Sequence, residues 1–384
     1  MTDRTYIDIH VLHSVPPSNL NRDDAGSPKQ AVYGGVRRAR VSSQAWKRAT
    51  RVAFTDELHL PAEQLGTRTK RISSLLARRI AARTGLDDVA AARLGTALLA
   101  QDLNIKAGKK ETETAYLLFF GINQLDAIID LIADRAEELA TLADDALTKA
   151  VADLPVREQL TNGHPIDVAL FGRMVADITS LNVDAATQVA HAISTHPVEI
   201  EFDYYTAVDD QKTAQEDAGA AMIGTVEFTS ATLYRFATLG VHQLTANLGG
   251  DTNAALDATR AFLTAFVRSM PTGHQNTFAH RTLPSLVSFV VRDDQPVNLV
   301  SAFEKPVRSR NNGIAAESAR RLAKELSRAA SSWGITPLTV ASVYEPDSDQ
   351  DTDTLTAAFG APHSLDEAIA SVLQAVRDRL QEPA

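Results

Sequence analysis

Two hydrophobic periodicities divide this chain, and their order along it restricts the fold more than any single motif does. The outer parts read as strands. Tyr6–His13 (YIDIHVLH) alternates, with Ile7, Ile9 and Val11 on one face and Asp8 and His10 on the other. Pro16 and Pro17 end it, and a loop follows through Asn19–Asp24 and Ser27–Pro28. Thr225–Leu239 is strand-like, and Ser285–Asp293 is apolar enough for a buried strand. From Asp56 to about Ala152 the texture changes to Ala, Leu, Arg and Glu. SLLARRIAAR, AAARLGTALLAQ and LDAIIDLIADRAEELATLADDALTKAV repeat their apolar residues with the helical period, broken near Gly121. This predicts several packed helices inserted between strands. Thr114–Phe120 (TAYLLFF) is short and aromatic-rich enough to be a strand instead, and Asp167–Met174 (DVALFGRM) also reads as one. Leu256–Met270 and Ala315–Gly334 read as helices. The tail carries TPLTVASVY, an acidic SDQDTDT loop and a final helix, Ser364–Leu380. A strand–helix rhythm with helices grouped in an insertion makes the class α+β: a small open sheet backed by helices, with one face free for a ligand.

Several function classes have no support. There are no cysteines, which excludes disulfides, thiolate metal sites and a cysteine nucleophile and favours a reducing cytoplasm. MTDRTYIDIH has no signal-peptide core, and no apolar run is long enough to cross a bilayer. The histidines form no metal-binding spacing; His10 with His13, and His191 with His196, are expected to be structural or exposed. Asp23–Asp24 and Asp209–Asp210 are expected as turn formers or ion-pair partners rather than magnesium ligands. GxSxG, GxxxxGK[ST] and GxGxxG are absent, so neither a serine hydrolase nor a nucleotide cofactor is indicated.

The strongest physical signal is local charge. The chain has a formal net charge of −10, yet Ala25–Thr55 contains no acidic residue. Arg37, Arg38 and Arg40 precede a helix that begins at Ser42 or Ser43 with serine as its cap. At 100° per residue Trp46, Ala49 and Ala53 share one side, while Gln44, Lys47, Arg48 and Arg51 lie opposite. Cations, two serines, the free N–H groups of a helix start and Gly34–Gly35, which let a backbone come close, together form an expected phosphate cradle. The plain alternative is a solvated face paired with distant carboxylates. A second feature is the polar excursion Thr195–Gly224, in which DYYTAVDD (Asp203–Asp210) carries two tyrosines. Either the rings tuck into a local core, or a protruding tip inserts apolar atoms between stacked bases.

Several stretches occur in an order that resembles a known family: LNRDD (Leu20–Asp24), YGGVRRARVSSQAWKRA (Tyr33–Ala49), FGRM (Phe171–Met174), AHAISTHPVEIEFDYYTAVDD (Ala190–Asp210) and NLVSAFEKPV (Asn298–Val307). Together they resemble the CasC family, the backbone subunit of the type I-E CRISPR surveillance complex, Cascade. The resemblance implies an RRM-like (ferredoxin-like) palm, a helical fingers insertion and a protruding thumb loop. In residues these are palm 1–58, fingers 59–175, palm 176–194, thumb 195–224 and palm 225–384 with a C-terminal helix. It implies a non-catalytic scaffold that assembles head to tail along CRISPR RNA and kinks it periodically so that guide segments pair with target DNA. Other copies of the chain and other Cascade subunits are the further partners implied. The resemblance places Arg22, Ser42, Gln44, Lys47 and Arg51 on guide phosphates and sugars, with Arg48 beside them on the helix. Lys29 is placed toward guide or target DNA, Met174 near the kinked bases, and Tyr205, Thr206 and Val208 at the thumb tip. Gln275 is a further guide contact, although His274 stands where relatives often carry lysine. The rival reading is an endoribonuclease on a similar fold, using His10, His13 or the Asp pairs. A spacer is arbitrary in sequence, so a guide scaffold must grip phosphate and leave reading to base pairing.

Overall fold

The computed structural model describes residues 4–103, 114, 117–176, 178–207, 222–308, 313–346 and 348–381. In chain order the elements begin with β1 (Tyr6–Ser18), β2 (Gln30–Tyr33), β3 (Val36–Val41) and α1 (Ser43–Asp56). They continue with β4 (Gly66–Thr69), α2 (Ile72–Thr84), α3 (Asp88–Leu103), β5 (Leu118–Gly121), α4 (Ile122–Asp130), α5 (Ala136–Thr141), α6 (Asp144–Ala150), α7 (Val156–Thr161) and α8 (Ile166–Phe171). Next come β6 (Thr187–Val189), β7 (Ala192–Ser194), β8 (Glu201–Ala207), β9 (Met222–Gly240), α9 (Val241–Asn247), α10 (Thr252–Arg268), α11 (Gln275–Phe278) and β10 (Leu286–Arg292). The last are α12 (Gly313–Trp333), β11 (Thr339–Tyr344), α13 (Asp349–Phe359) and α14 (Leu365–Gln381). The chain divides into two compact units, one of residues 1–54, 188–239 and 259–384, the other of 55–187 and 240–258.

In the first unit the sheet order is β11-β10-β1-β9-β7-β3-β2. Its middle, β10-β1-β9-β7, joined in the sequence β1-α1-β7-β9-α10-β10, is the βαββαβ arrangement of a ferredoxin-like, RRM-like palm. The long helical stretch enters between α1 and β7, and the β8 excursion between β7 and β9. The fold is therefore α+β, with a palm, a helical fingers insertion and a thumb. Both faces of the central strands are covered, which explains why all seven residues of β10 are buried. Ile7, Ile9 and Val11 of β1 are fully buried, as is His13 further along the same face, and so are Asp8 and His10 on the other face. Asp8 there accepts from Arg292 at 3.1 Å and from the Val297 N–H at 2.8 Å. Leu322, Ala323 and Leu326 of α12 and Phe359 of α13 pack with Leu12, Tyr234 and Phe236. A separate cluster joins Trp46 of α1 to Val15, Val41, Ala192 and Leu233.

The second unit has its own core, in which Ile72, Leu76 and Ile80 of α2 meet Leu94 and Leu98 of α3 and Leu125, Ile128 and Ile129 of α4. β4 and β5 pair beside it, so the aromatic run near Phe119 is a strand. Three expectations are corrected. Asp167–Met174 is mostly helix: Pro165 caps α8 and Gly172, at φ +75°, ends it. A short apolar run carries no decisive period, and the flanking Pro and Gly decide it. The acidic SDQDTDT is the start of α13, because Ser348 accepts the Asp351 N–H and the Asp residues sit where the helix dipole is positive. The first half of the Thr195–Gly224 excursion is the strand β8, paired with β9 from Glu201↔Phe228 to Ala207↔Met222. No helix among the described residues is long and apolar enough to cross a membrane.

Candidate nucleic-acid interface

The acid-free segment lies in the first unit, and the structure rearranges the expected cradle. β2 and β3 form a hairpin closed by Gly34–Gly35, both at positive φ (+59° and +76°), which a two-residue turn requires. A Cβ on Gly34 would stand 1.6 Å from the Glu304 carbonyl oxygen. The close approach that Gly34 permits is thus to the chain's own backbone, while the space beside Gly35 is open. Arg38 is also withdrawn from any ligand. Its fully buried guanidinium donates to the carbonyls of Tyr33, Ser194 and Phe303 at 3.2, 2.9 and 2.7 Å, tying the hairpin to the palm.

Of the remaining expected residues, Ser42 is buried and used as a helix cap, while Gln44, Lys47, Arg48 and Arg51 lie along a well-anchored helix. Ser42 caps α1, its Oγ accepting the Ala45 N–H at 3.3 Å, and is itself only 6% exposed. Trp46, Thr50, Ala53 and Phe54 form the buried side of α1. The buried Arg235 guanidinium lies 3.7 Å from the centre of the Trp46 ring and donates to the Phe266 carbonyl and to His13 Nδ1. Gln44 and Arg48 are exposed, while Lys47 and Arg51 are half-buried. Burial holds the Lys47 ammonium below the usual lysine range.

Two loops meet beside the start of α1. Asn21 Oδ1 accepts the Ser42 N–H at 2.9 Å, and the Asn21 carbonyl accepts the Lys29 N–H at 2.9 Å. A Cβ on Gly273 would meet the Leu20 carbonyl oxygen at 2.4 Å, so the Gln275 loop rests on the Arg22 loop. Arg22 Nη1 donates to His274 Nε2 at 3.1 Å, and Gln275 is exposed beside it. Lys29 and Arg40 line one small cavity of about 20 Å³ with Asn21. Arg40 Nη1 lies 3.2 Å from His191 Nδ1, and burial together with Arg40 and Lys29 lowers the His191 pKa. The structure therefore brings Arg22, Lys29, Ser42, Gln44 and Gln275 together, with Lys47, Arg48 and Arg51 running along α1. Sequence reasoning expected His191 to be structural or exposed and gave Asn21 no role of its own; the connecting strength of an asparagine within LNRDD has no sequence signal of its own.

The charge state of this surface is distinctive. Among the described residues Arg22, Lys29, Arg37, Arg40, Lys47 and Arg48 make no ion pair with a carboxylate within 4.0 Å. Elsewhere arginines find acids readily, as in Arg79–Asp126 at 2.6 Å, Arg93–Asp144 at 2.7 Å and Arg320–Asp351 at 2.7 Å. For these six cations the paired alternative finds no carboxylate partner among the described residues.

Two further features lie outside the convergence. On β8, Phe202, Tyr204 and Tyr205 are 67%, 61% and 45% exposed, and Thr206 is exposed as well. The rings do not tuck into a local core. Tyr205 lies across from Gly224, where a Cβ would come within 2.3 Å of the ring. Val208 and Asp209–Asp210 lie outside the described residues. Met174 belongs to the second unit and is exposed there.

Of the groups that a nuclease reading uses, His10, His13 and Asp23 have partners within the fold. His10 Nδ1 meets the Tyr234 hydroxyl at 2.9 Å and His13 is bound by Arg235 and Thr282, both rings fully buried. Burial, reinforced by Arg292 for His10 and by Arg235 for His13, pushes each pKa down to about 3. Asp23 Oδ1 accepts the N–H groups of Ala25 and Ser27, a turn-forming role. Among the described residues no cluster of three or more His, Cys, Asp or Glu side chains is placed to hold a metal.

The family model described as CT1975-like protein matches residues 7–371. No curated protein is matched by sequence. Among solved structures, a chain of "CRISPR RNA-guided surveillance complex, pre-nicking" superposes with a TM-score of 0.80 at 32% identity, covering 96% of this chain and 99% of that one. A chain of "CRISPR RNA-guided surveillance complex" does so with a TM-score of 0.70 at 28% identity and the same coverage.

Proposed function

The chain belongs to the CT1975-like family and is a Cas backbone-type subunit, and from that we propose that it is a non-catalytic scaffold which polymerises along CRISPR RNA in a type I-E Cascade of the cytoplasm. One observation carries the reading: in an acidic chain Arg22, Lys29, Lys47 and Arg48, on α1 and the loop before it, have no carboxylate partner among the described residues. Such cations are suited to a polyanion gripped by phosphate, whatever its base sequence. Arg22, Lys29, Ser42, Gln44, Lys47, Arg48, Arg51 and Gln275 hold the guide's sugar–phosphate backbone. The exposed rings of β8, with Thr206 and Val208, and Met174 act on the bases, where stacking tolerates any sequence. Guide segments held in this way pair with target DNA, and other copies and other Cascade subunits extend the assembly.

The test is binding of two guides with unrelated spacers by the wild type and by Arg22→Ala/Lys47→Ala. Equal weakening for both guides is expected. A loss confined to one spacer contradicts phosphate gripping. Specific cleavage of guide or target RNA, abolished by His10→Gln or Asp23→Asn, would establish the endoribonuclease instead.

A further inference from the structure

Met174 is 84% exposed, yet the segment that bears it is fastened on both sides. Gly172 is at φ +75°, and a Cβ there would stand 2.7 Å from the Val183 carbonyl oxygen. Arg173 and Val183 exchange backbone hydrogen bonds at 2.9 and 2.8 Å. Val175 is buried, and its N–H donates to Asn182 Oδ1 at 2.6 Å. Between the buried Arg173 and Val175, Met174 projects. A thioether chain left in water forgoes roughly 1.5–3 kcal/mol of burial, so a rigidly displayed methionine is built for a contact the isolated chain does not make.

Arg173 supplies the rigidity. Its guanidinium, with the residue 7% exposed, donates from Nε to the Leu181 carbonyl at 2.6 Å, from Nη1 to Phe119 at 3.1 Å and from Nη2 to Leu160 at 2.8 Å. Three separate segments are thereby fixed about one planar group: β5, the end of α7 and the turn before Asn182. All three acceptors are neutral carbonyls, with no carboxylate among these partners. An apolar side chain of similar volume would be the cheaper way to fill this space, because burying an ion carries a large desolvation penalty. What the guanidinium adds is direction, since its donors point along fixed lines in one plane.

We propose that Arg173 is a positioning residue that sets where Met174 enters the stacked bases of bound RNA. The inference rests on the scaffold reading above. A wedge held at one angle parts the stack at the same step in every copy of the chain, whereas a loose one spreads its effect over neighbouring steps. Loosening Arg173 therefore blurs the position of base unstacking while the phosphate grip of α1 persists.

The experiment is chemical probing of base reactivity on a guide-length RNA bound to the wild type, Arg173→Met, Arg173→Lys, Met174→Ala and the Arg173→Met/Met174→Ala double variant. Each is first checked for cooperative unfolding and for overall RNA affinity. The expected result is a periodic pattern in the wild type whose contrast falls at least about threefold in Arg173→Met, and no further loss when that change is added to Met174→Ala. Arg173→Lys, which keeps the charge but replaces the planar fork with a point donor, gives the same blurring and carries the test where Arg173→Met does not fold. A folded Arg173 variant with wild-type contrast overturns the inference, as does additivity with Met174→Ala. A wild type that binds RNA with no periodic pattern defeats the scaffold reading itself, and the two failures are told apart on that control.

Discussion

At the scale of single residues, the same residue type does opposite work according to what surrounds it. Arg38, Arg173 and Arg235 are buried and spend their donors on backbone carbonyls, while Arg22, Arg40 and Arg48 find no carboxylate among the described residues. For the second group the salt dependence is the direct readout. Removing Lys47 or Arg22 is expected to lower the slope of log affinity against log salt by about 0.7 each, measured on single-stranded RNA. The buried histidines give a prediction of a different kind. His10 and His13 have folded pKa values near 3 against an ordinary 6.5, so both are neutral in the fold. Their contribution is whole above pH 6.5 and is lost as pH falls toward 3, since the unfolded chain takes up the protons first. By pH 5 each histidine costs about 2 kcal/mol of stability. Asp8, raised by burial to about 6, works in the opposite sense between 6 and 3.8 and offsets part of this. Denaturant unfolding at pH 7 and pH 5 checks it: His10→Gln should narrow the difference between the two pH values. An unchanged difference refutes the assignment.

At the scale of elements, α1 shows how packing turns a helix into a tool. Its polar side is useful only because its other side is held, and Trp46 under the Arg235 guanidinium is the hold. Trp46→Ala is expected to cost about 3–5 kcal/mol in unfolding free energy, from lost burial and the cavity left behind. The thumb element makes the contrasting case. Tyr205 leans over Gly224, and its ring is the free end of a flexible side chain, so Gly224→Ala displaces the ring without a backbone clash. That variant should unfold within about 1 kcal/mol of the wild type and still alter base reactivity on bound RNA. Unaltered reactivity would remove Tyr205 from the proposed base contacts.

At the scale of the whole molecule, a head-to-tail contact that does not close on itself builds a helical filament, and a bound RNA of fixed length stops its growth. The mass of the particle formed with one full-length guide is therefore expected to be a whole number of subunits plus one RNA, with other Cascade subunits in fixed numbers where they are present. A single subunit on a full-length guide at saturating protein would contradict polymerisation. The formal net charge of −10 fits the proposed scaffold, which would have to refuse stray nucleic acid, since net charge governs nonspecific association.

The sequence alone determined the class of fold, because period is a local property: alternation in Tyr6–His13 and a 3.6-residue repeat through the insertion show on the line of residues itself. It also determined that α1 has one cationic side, and it carried the family motifs from Leu20 to Val307. Short runs such as DVALF were legible only through their flanking Pro165 and Gly172, since five apolar residues fit strand and helix alike. What tertiary structure decided was which charges are available. Nothing in RRAR separates Arg38 from Arg40, which share one side of a strand, yet Arg38 is sealed in by Ser194 and Phe303 from distant segments and Arg40 is only half-buried. Likewise the turn accounts for the positive φ of Gly34, but the close backbone contact it makes is with Glu304, far along the chain. Burial and hydrogen-bond partners come from residues remote in sequence, and the charge of a side chain carries no record of them.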